Sequence, residues 1–330
     1  MALSFEDETL AKGGAHKQTR PRRDKLVIYA IVSSLLILSL ALGLGLGLGL
    51  RHQGTHSPSK PSPSRPPIPS AVWQPNVGET WQIVLNEVLN IDDNDPVVEP
   101  NVDVFDIDLF LHQNTTVVSN LQKLGKKVIC YFSAGSYEPD RPDSYSFSDS
   151  DLGKELDGWP GERWLNISSP SVRDIMAARI EIASQMGCDA IDPDNVDGYQ
   201  NDNGLDLTSD DSVEFMNFLV DTASQYKIAV GLKNAGDIIP DLLPRVQFAV
   251  NEQCAQFDNC GTTRPFIKTK KPVFHIEYPR GAPSNVTEAE SKDACTSAGA
   301  TDFSTAIKAK NLSGWVEYCD GSTATTNVFS

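Results

Sequence analysis

Residues 188–197 read Cys-Asp-Ala-Ile-Asp-Pro-Asp-Asn-Val-Asp, a short apolar run that breaks into acids. A buried strand ending in proline and acids delivers carboxylates to a loop at its carboxyl end. In a barrel of parallel strands, that end carries the chemistry. Asp192, Asp194 and Asp197 are close enough in sequence to repel one another, so at least one should hold its proton above the ordinary carboxylate range. A second run of the same type, Val246 to Asn251, stops at Glu252. Two carboxylates at the ends of separate strands suit glycoside hydrolysis, in which one protonates the leaving oxygen and the other attacks or activates water.

The elements that must position these acids are legible as alternating apolar patterns. Candidate strands are Trp81–Leu85, Val102–Leu109, Val128–Phe132, Ala190–Asp192, Ile228–Leu232, Gln247–Asn251, Val273–Ile276 and Ser304–Lys308. Between them, Ser171–Met186 and Asp210–Tyr226 place their apolar residues on one helical face, with Asp210 or Asp211 as a candidate N-cap of the second. Strand–helix alternation implies right-handed crossovers and a parallel sheet. Eight strands in about 258 residues match the usual size of a (β/α)8 TIM-like barrel. A doubly wound sheet would want a glycine-rich phosphate turn after its first strand, and Asn86–Asn90 has no glycine. The polar connection Gly135–Trp164, with Tyr137, Tyr145, Trp159 and Trp164, is too long for an ordinary barrel loop and reads as a binding lid or a disordered segment.

Polar groups follow the buried strands all around this barrel. They are Asp106 and Asp108, Tyr131 and Ser133, Asp192, Asp194 and Asp197, Lys233 and Asn234, Glu252, and Glu277 and Tyr278. One acid at a strand end is ordinarily a helix cap; six such ends converging form a rim. Four stretches carry a resemblance: Val102–Phe110 (VDVFDIDLF), Val128–Glu138 (VICYFSAGSYE), Asp189–Asp197 (DAIDPDNVD) and Val230–Asn234 (VGLKN). Together they resemble glycoside hydrolase family 114, the endo-α-1,4-polygalactosaminidases, from about Trp81 to Leu312.

The resemblance implies Asp194 and Glu252 as the paired carboxylates of a retaining enzyme, Asp194 the nucleophile and Glu252 the acid/base. It also implies a galactosamine-containing polysaccharide, galactosaminogalactan, as substrate. Such a polymer carries ammonium groups once deacetylated, and an acidic cleft lined by Asp106, Asp108, Asp192, Asp197 and Glu277 would attract them. Tyr131, Tyr199 and Tyr278 are candidates to stack on sugar faces, with Ser133 and Asn234 as further contacts. Lys233 is expected to pair with a carboxylate rather than touch the sugar. Two rivals share this rim: a glycan-binding barrel without hydrolysis, and a barrel hydrolase for another α-galactoside or a chitin-like polymer. The spacing Asp192-x-Asp194-x-x-Asp197-Gly198 departs from a calcium loop, since glycine falls seventh and Asn203 stands at position twelve. No cofactor or metal is expected. There is no G-x-S-x-G elbow, Walker loop or HExxH helix, and only His112 and His275 fall in the folded region.

The chain has 330 residues and a formal net charge of −16. Of its 28 basic and 44 acidic side chains, residues 1–51 hold seven and four, leaving 21 and 40 beyond them. So acidic a surface repels nucleic acid and favours a cationic partner. Leu26 to Leu50 carries no charge and follows Lys17, Arg20, Arg22, Arg23 and Lys25. That length spans a bilayer, and the basic flank keeps the N-terminal side cytoplasmic. The expected organisation is a cytoplasmic tail over 1–25, a signal anchor over 26–50, a Pro/Ser-rich stalk over 51–72 and a hydrolase domain over 73–330. This would make a single-pass type II protein with its catalytic domain outside the cell. Four N-x-S/T sequons, at Asn114, Asn166, Asn285 and Asn311, are candidate glycosylation sites. In an oxidising compartment Cys254–Cys260 and Cys295–Cys319 are plausible bridges, while Cys130 and Cys188, in apolar strand contexts, are expected as buried thiols.

Overall fold

The computed structural model describes Arg65 and residues 71–329. The expected cytoplasmic tail and signal anchor, and most of the expected stalk, fall outside the described residues; among those described, no helix is long and apolar enough to cross a membrane. Val72 is buried among the folded domain's core residues.

Eight parallel strands follow one another around a curled sheet: β1 (Trp81–Val84), β2 (Val104–Asp108), β3 (Lys127–Ser133), β7 (Ala190–Asp194), β8 (Ala229–Lys233), β9 (Phe248–Glu252), β10 (Val273–Glu277) and β11 (Ser304–Ile307). A three-stranded antiparallel sheet of β4 (Ser136–Tyr137), β5 (Leu152–Leu156) and β6 (Trp159–Leu165) is inserted between β3 and β7, where the long polar connection was read. Two antiparallel strands, β12 (Trp315–Tyr318) and β13 (Thr323–Thr325), follow β11. All eight expected strands are present within one or two residues. The fold is an α/β barrel of TIM-like form.

The strands have a period of two, so alternate residues face opposite sides. Trp81, Ile83, Val104, Ile129, Ala190, Ala229, Phe248, Val250, Phe274, Ile276 and Ala306 pack as the inner cluster. Phe105, Ile107, Val128, Cys130, Phe132, Ile191, Val230 and Leu232 pack outward with the helices. Gly231 belongs to this arrangement because a Cβ there would overlap the ring of Phe248, its partner on β9. The same alternation carries Asp192 and Asp194 up the inner side from Ala190, while Ile191 joins the outer layer.

The barrel departs from a regular (β/α)8 in two places. No helix lies between β1 and β2 among the described residues. That crossover satisfies its backbone locally: Leu89 N–H donates to His112 Nε2 at 3.1 Å, and Asn90 N–H to Asn327 O at 2.9 Å. At the β1–β11 seam, side chains make the crossing contacts: Trp81 Nε1 donates to Ser304 O at 2.7 Å, and Tyr318 Oη to Trp81 O at 2.9 Å. Buried Lys308 donates to Gln82 Oε1 and Ser313 O, each at 2.8 Å. Burial holds its ammonium well below the ordinary lysine range.

The helix Pro170–Met186 begins with proline in its first turn and ends at Gly187, whose φ of 86° suits a left-handed C-cap. The helix Ser209–Gln225 is capped by Thr208, not by Asp210 or Asp211. Asp211 instead sits at the third helical position and closes a capping box with Thr208. A second correction concerns the cysteines. Cys130 and Cys188 form a disulfide rather than two buried thiols, alongside Cys254–Cys260 and Cys295–Cys319. β3 and β7 are neighbours in the sheet, which brings together two cysteines 58 residues apart in sequence.

Candidate active site

The carboxyl ends of β3, β7, β8 and β9 meet at the floor of a cleft of about 580 Å³. At its centre Lys233, the last residue of β8, is almost wholly buried. Its Nζ lies 3.3 Å from Asp194 Oδ2, 3.5 Å from Glu252 Oε2 and 3.7 Å from Asp192 Oδ2. Burial alone would lower its pKa; Asp194, Glu252 and Asp192 outweigh that and hold the ammonium well above the ordinary range. Two carboxylates sharing one ammonium keep these oxygens no more than about 7 Å apart, a span that includes the ~5–5.5 Å of a retaining pair.

Each of the two half-buried carboxylates is held by its own donors. Asp194 accepts from Tyr131 Oη at 3.0 Å and from the Asn195 N–H at 2.7 Å. Glu252 accepts from Asn234 Nδ2 at 3.1 Å and closely from Tyr278 Oη, and its own N–H donates to Asn234 Oδ1 at 2.9 Å. Burial pushes both phenols well above the ordinary tyrosine range, so they remain donors at neutral pH. The residue following each of β7, β8 and β9 is left-handed: Asn195 at φ 60°, Asn234 at 48° and Gln253 at 58°. Asparagine tolerates this region better than most residues. Here the turn aims the asparagine amides back at the site: Asn195 Nδ2 donates to Ser133 Oγ at 2.9 Å and to Ser136 Oγ at 3.1 Å.

The remaining acids separate by depth. Asp106 and Asp192 are fully buried beneath the cleft floor, and neither lines it. Burial, followed by Asp192, pushes Asp106 well above the carboxylate range; burial also raises Asp192, against the pull of Lys233. Asp108 is buried too. It accepts from the N–H groups of Phe110 and Leu111 at 3.0 and 2.9 Å and pairs with Arg141 at 2.7 Å. Asp197 does line the cleft, and burial pushes its pKa up to about 6. Ser133 is buried within the hydroxyl and amide contacts below Asn195. Tyr199 meets Gln200 and is not part of the cleft lining.

Glu277 turns away from the cleft. It lies beside His275 at 2.9 Å and accepts from the Ala255 N–H at 2.7 Å, tying down the loop that follows Glu252. Tyr278, one residue on, faces the cleft as strand alternation requires. Cys254, Cys260 and His275 are the one His/Cys/Asp/Glu grouping among the described residues close enough for a metal, and both of its sulfurs are spent on a disulfide.

One cleft wall comes from the inserted sheet, which the sequence marked only as a long connection. Glu138, Arg141, Leu156, Trp159 and Glu162 line it. Arg141 pairs with Glu138 at 2.7 Å, and burial, then Glu138, pushes Glu162 up to about 7. Lys310, Asn311 and Leu312 face the cleft from the loop after β11. The arrangement offers a hydrogen-bonded carboxylate on each of two strands, an ammonium between them and an aromatic side chain, Trp159, at the mouth. It can hold a sugar ring against two carboxylates, as glycosidic cleavage requires.

Comparison with known proteins gives the family. The family model described as glycoside-hydrolase family GH114 matches residues 62–324. The crystal structure of Aspergillus fumigatus Ega3 in complex with galactosamine is 54% identical, covers 75% of this chain and 97% of its own, and superposes with a TM-score of 0.70. The glycoside hydrolase domain of PelA from Pseudomonas aeruginosa is 12% identical, covers 76% of this chain and 99% of its own, and has a TM-score of 0.50. That second likeness speaks for the fold alone. No curated protein sequence matches the chain.

Proposed function

Because this chain belongs to glycoside hydrolase family GH114, we propose that it cleaves α-1,4-linked galactosamine stretches of a cationic polysaccharide from within the chain, using Asp194 and Glu252. The chain is a glycoside hydrolase by family. The substrate follows from its 54% identity to a protein crystallised with galactosamine. The single observation that carries the site assignment is the ammonium of Lys233, within reach of both carboxylates at the cleft floor.

In this reading the enzyme retains configuration. Asp194 attacks the anomeric carbon while Glu252 gives its proton to the departing glycosidic oxygen; water, deprotonated by Glu252, then releases the glycosyl group from Asp194. Lys233 stands between the two carboxylates, 3.3 Å from Asp194 and 3.5 Å from Glu252, and orients them toward the same point of the cleft. Tyr131 and Tyr278 keep the two carboxylates aimed into the cleft. Asp197 and the rest of the acidic lining draw in ammonium-bearing sugar units.

The finer architecture belongs to the same proposal. We read the fold as a (β/α)8 barrel that lacks its first crossover helix, carried outside the cell on a stalk and a signal anchor over Leu26–Leu50. Three disulfides suit that compartment. The test of function is a polymer panel assayed by reducing-end release and product length. Deacetylated galactosamine polymer should fall rapidly to mid-length fragments, with chitin and neutral α-galactans untouched. Cleavage of chitin or a neutral galactan in preference to the galactosamine polymer would overturn the substrate assignment.

A further inference from the structure

Of the four sequon asparagines, Asn114, Asn166 and Asn285 do not line the cleft, whereas Asn311 does. Its side chain is exposed, and the loop that bears it is tied to the barrel rim. Leu85 N–H, just beyond β1, donates to Leu312 O at 3.1 Å, and Lys308 Nζ donates to Ser313 O at 2.8 Å. A group attached at Asn311 would therefore stand on a fixed wall of the cleft, across from the wall built by the inserted sheet. Three disulfides among the described residues suit an oxidising compartment of the kind in which N-glycans are also added.

We infer that Asn311, in the sequon Asn311-Leu312-Ser313, carries an N-linked glycan that narrows the catalytic cleft and limits the entry of long polysaccharide chains. The inference rests on the functional reading above, since a glycan at this place matters only if a polymer must lie in the cleft. In the transfer, Asn311 Nδ2 attacks the anomeric carbon of an oligosaccharide carried on a lipid pyrophosphate. The Nδ2–C1 bond forms as the C1–O bond breaks, the amide loses one proton to a base, and the pyrophosphate leaves on the lipid. The attached oligosaccharide is far larger than the asparagine side chain, so it excludes bulky ligands from that side. A short oligosaccharide, which need not extend past the β1–β11 side of the cleft, is spared. The consequence is a chain-length preference set by the enzyme's own glycan rather than by its side chains.

Ser313→Ala is the discriminating variant because it destroys the sequon and leaves Asn311 in place. Ser313 contributes only its backbone N–H, to Asn311 Oδ1, and its carbonyl, to Lys308. Full-length wild type and S313A from a eukaryotic secretory host would be compared by glycopeptide mass spectrometry. Turnover would be measured on a long galactosamine polymer and on a short galactosamine oligomer. The expected result is a glycan at Asn311 in the wild type, a several-fold faster S313A on the polymer and equal rates on the oligomer. An unmodified Asn311, or an occupied Asn311 with the same polymer-to-oligomer ratio in both proteins, overturns the inference. If neither protein cleaves either substrate, the functional reading fails instead, and glycan occupancy is still decided by mass.

Discussion

Asp194 and Glu252 leave different strands of the barrel, yet both reach the one ammonium of Lys233, at 3.3 and 3.5 Å. The ammonium thus fixes the spacing of the pair and compensates buried Asp192 below it. Lys233→Met should strip both carboxylates of their shared partner and leave Asp192 buried without a counter-charge. Removing one member of a buried ion pair costs about 3–5 kcal/mol. Urea unfolding should show a loss of that order, together with collapse of activity on galactosamine polymer. A fully active, equally stable K233M protein would show that the ammonium is incidental.

Stability should fall as pH rises through the weakly acidic range. Burial raises Asp197 to about 6 and Glu162 to about 7. A carboxyl whose folded pKa exceeds its unfolded value binds more protons in the native state. Its contribution is complete below the unfolded pKa, near 4, and is lost as pH climbs through the folded pKa, so the window is roughly pH 4 to 7. The melting temperature should be higher at the acid end of that window than at the neutral end, and Glu162→Gln should flatten the slope. An unchanged slope in E162Q would mean that Glu162 titrates normally.

The two disulfides flanking the site should differ in worth. In the chain-entropy account the bridge Cys130–Cys188, with a separation of 58 residues, restricts the unfolded chain by about 4 kcal/mol, while Cys254–Cys260, with a separation of 6, restricts it by about 2 kcal/mol. Paired replacement by alanine followed by denaturant unfolding reads both. Equal losses would point to native packing rather than chain restriction as the source of their effect.

Binding should be electrostatic in origin. The side chains beyond residue 51 number 21 basic against 40 acidic. Added salt should weaken affinity for deacetylated galactosamine polymer and barely alter affinity for the acetylated form. Indifference of the deacetylated polymer to salt would remove charge attraction from the account.

Much of this architecture was legible in the residue order, and the exceptions have physical reasons. The eight strands were recoverable because buried parallel strands read as short apolar runs with polar ends. Asp194 and Glu252 were recoverable as the acids that close two of those runs. Glu277 and Tyr278 were both expected in the cleft, but adjacent strand residues face opposite sides, and Tyr278 took the inner one. Asp106 and Asp192 do face inward; their depth depends on strand stagger, which no single sequence displays. The Cys130–Cys188 bridge and the cleft wall from the inserted sheet arise from contacts between distant segments, for which local pattern offers no signal. The left-handed turns at Asn195, Asn234 and Gln253 were written as a polar residue after each strand, a hint too common to single out.

The central claim is that Asp194 and Glu252 form the working pair, and isosteric removal of each charge tests it most directly. Reducing-end release from deacetylated α-1,4-galactosamine polymer would be measured for wild type, Asp194→Asn and Glu252→Gln, with thermal melting of all three as the control for folding. Both variants should melt within a few degrees of the wild type and lose about 10³-fold or more in turnover. Wild-type turnover by either folded variant would contradict the assignment.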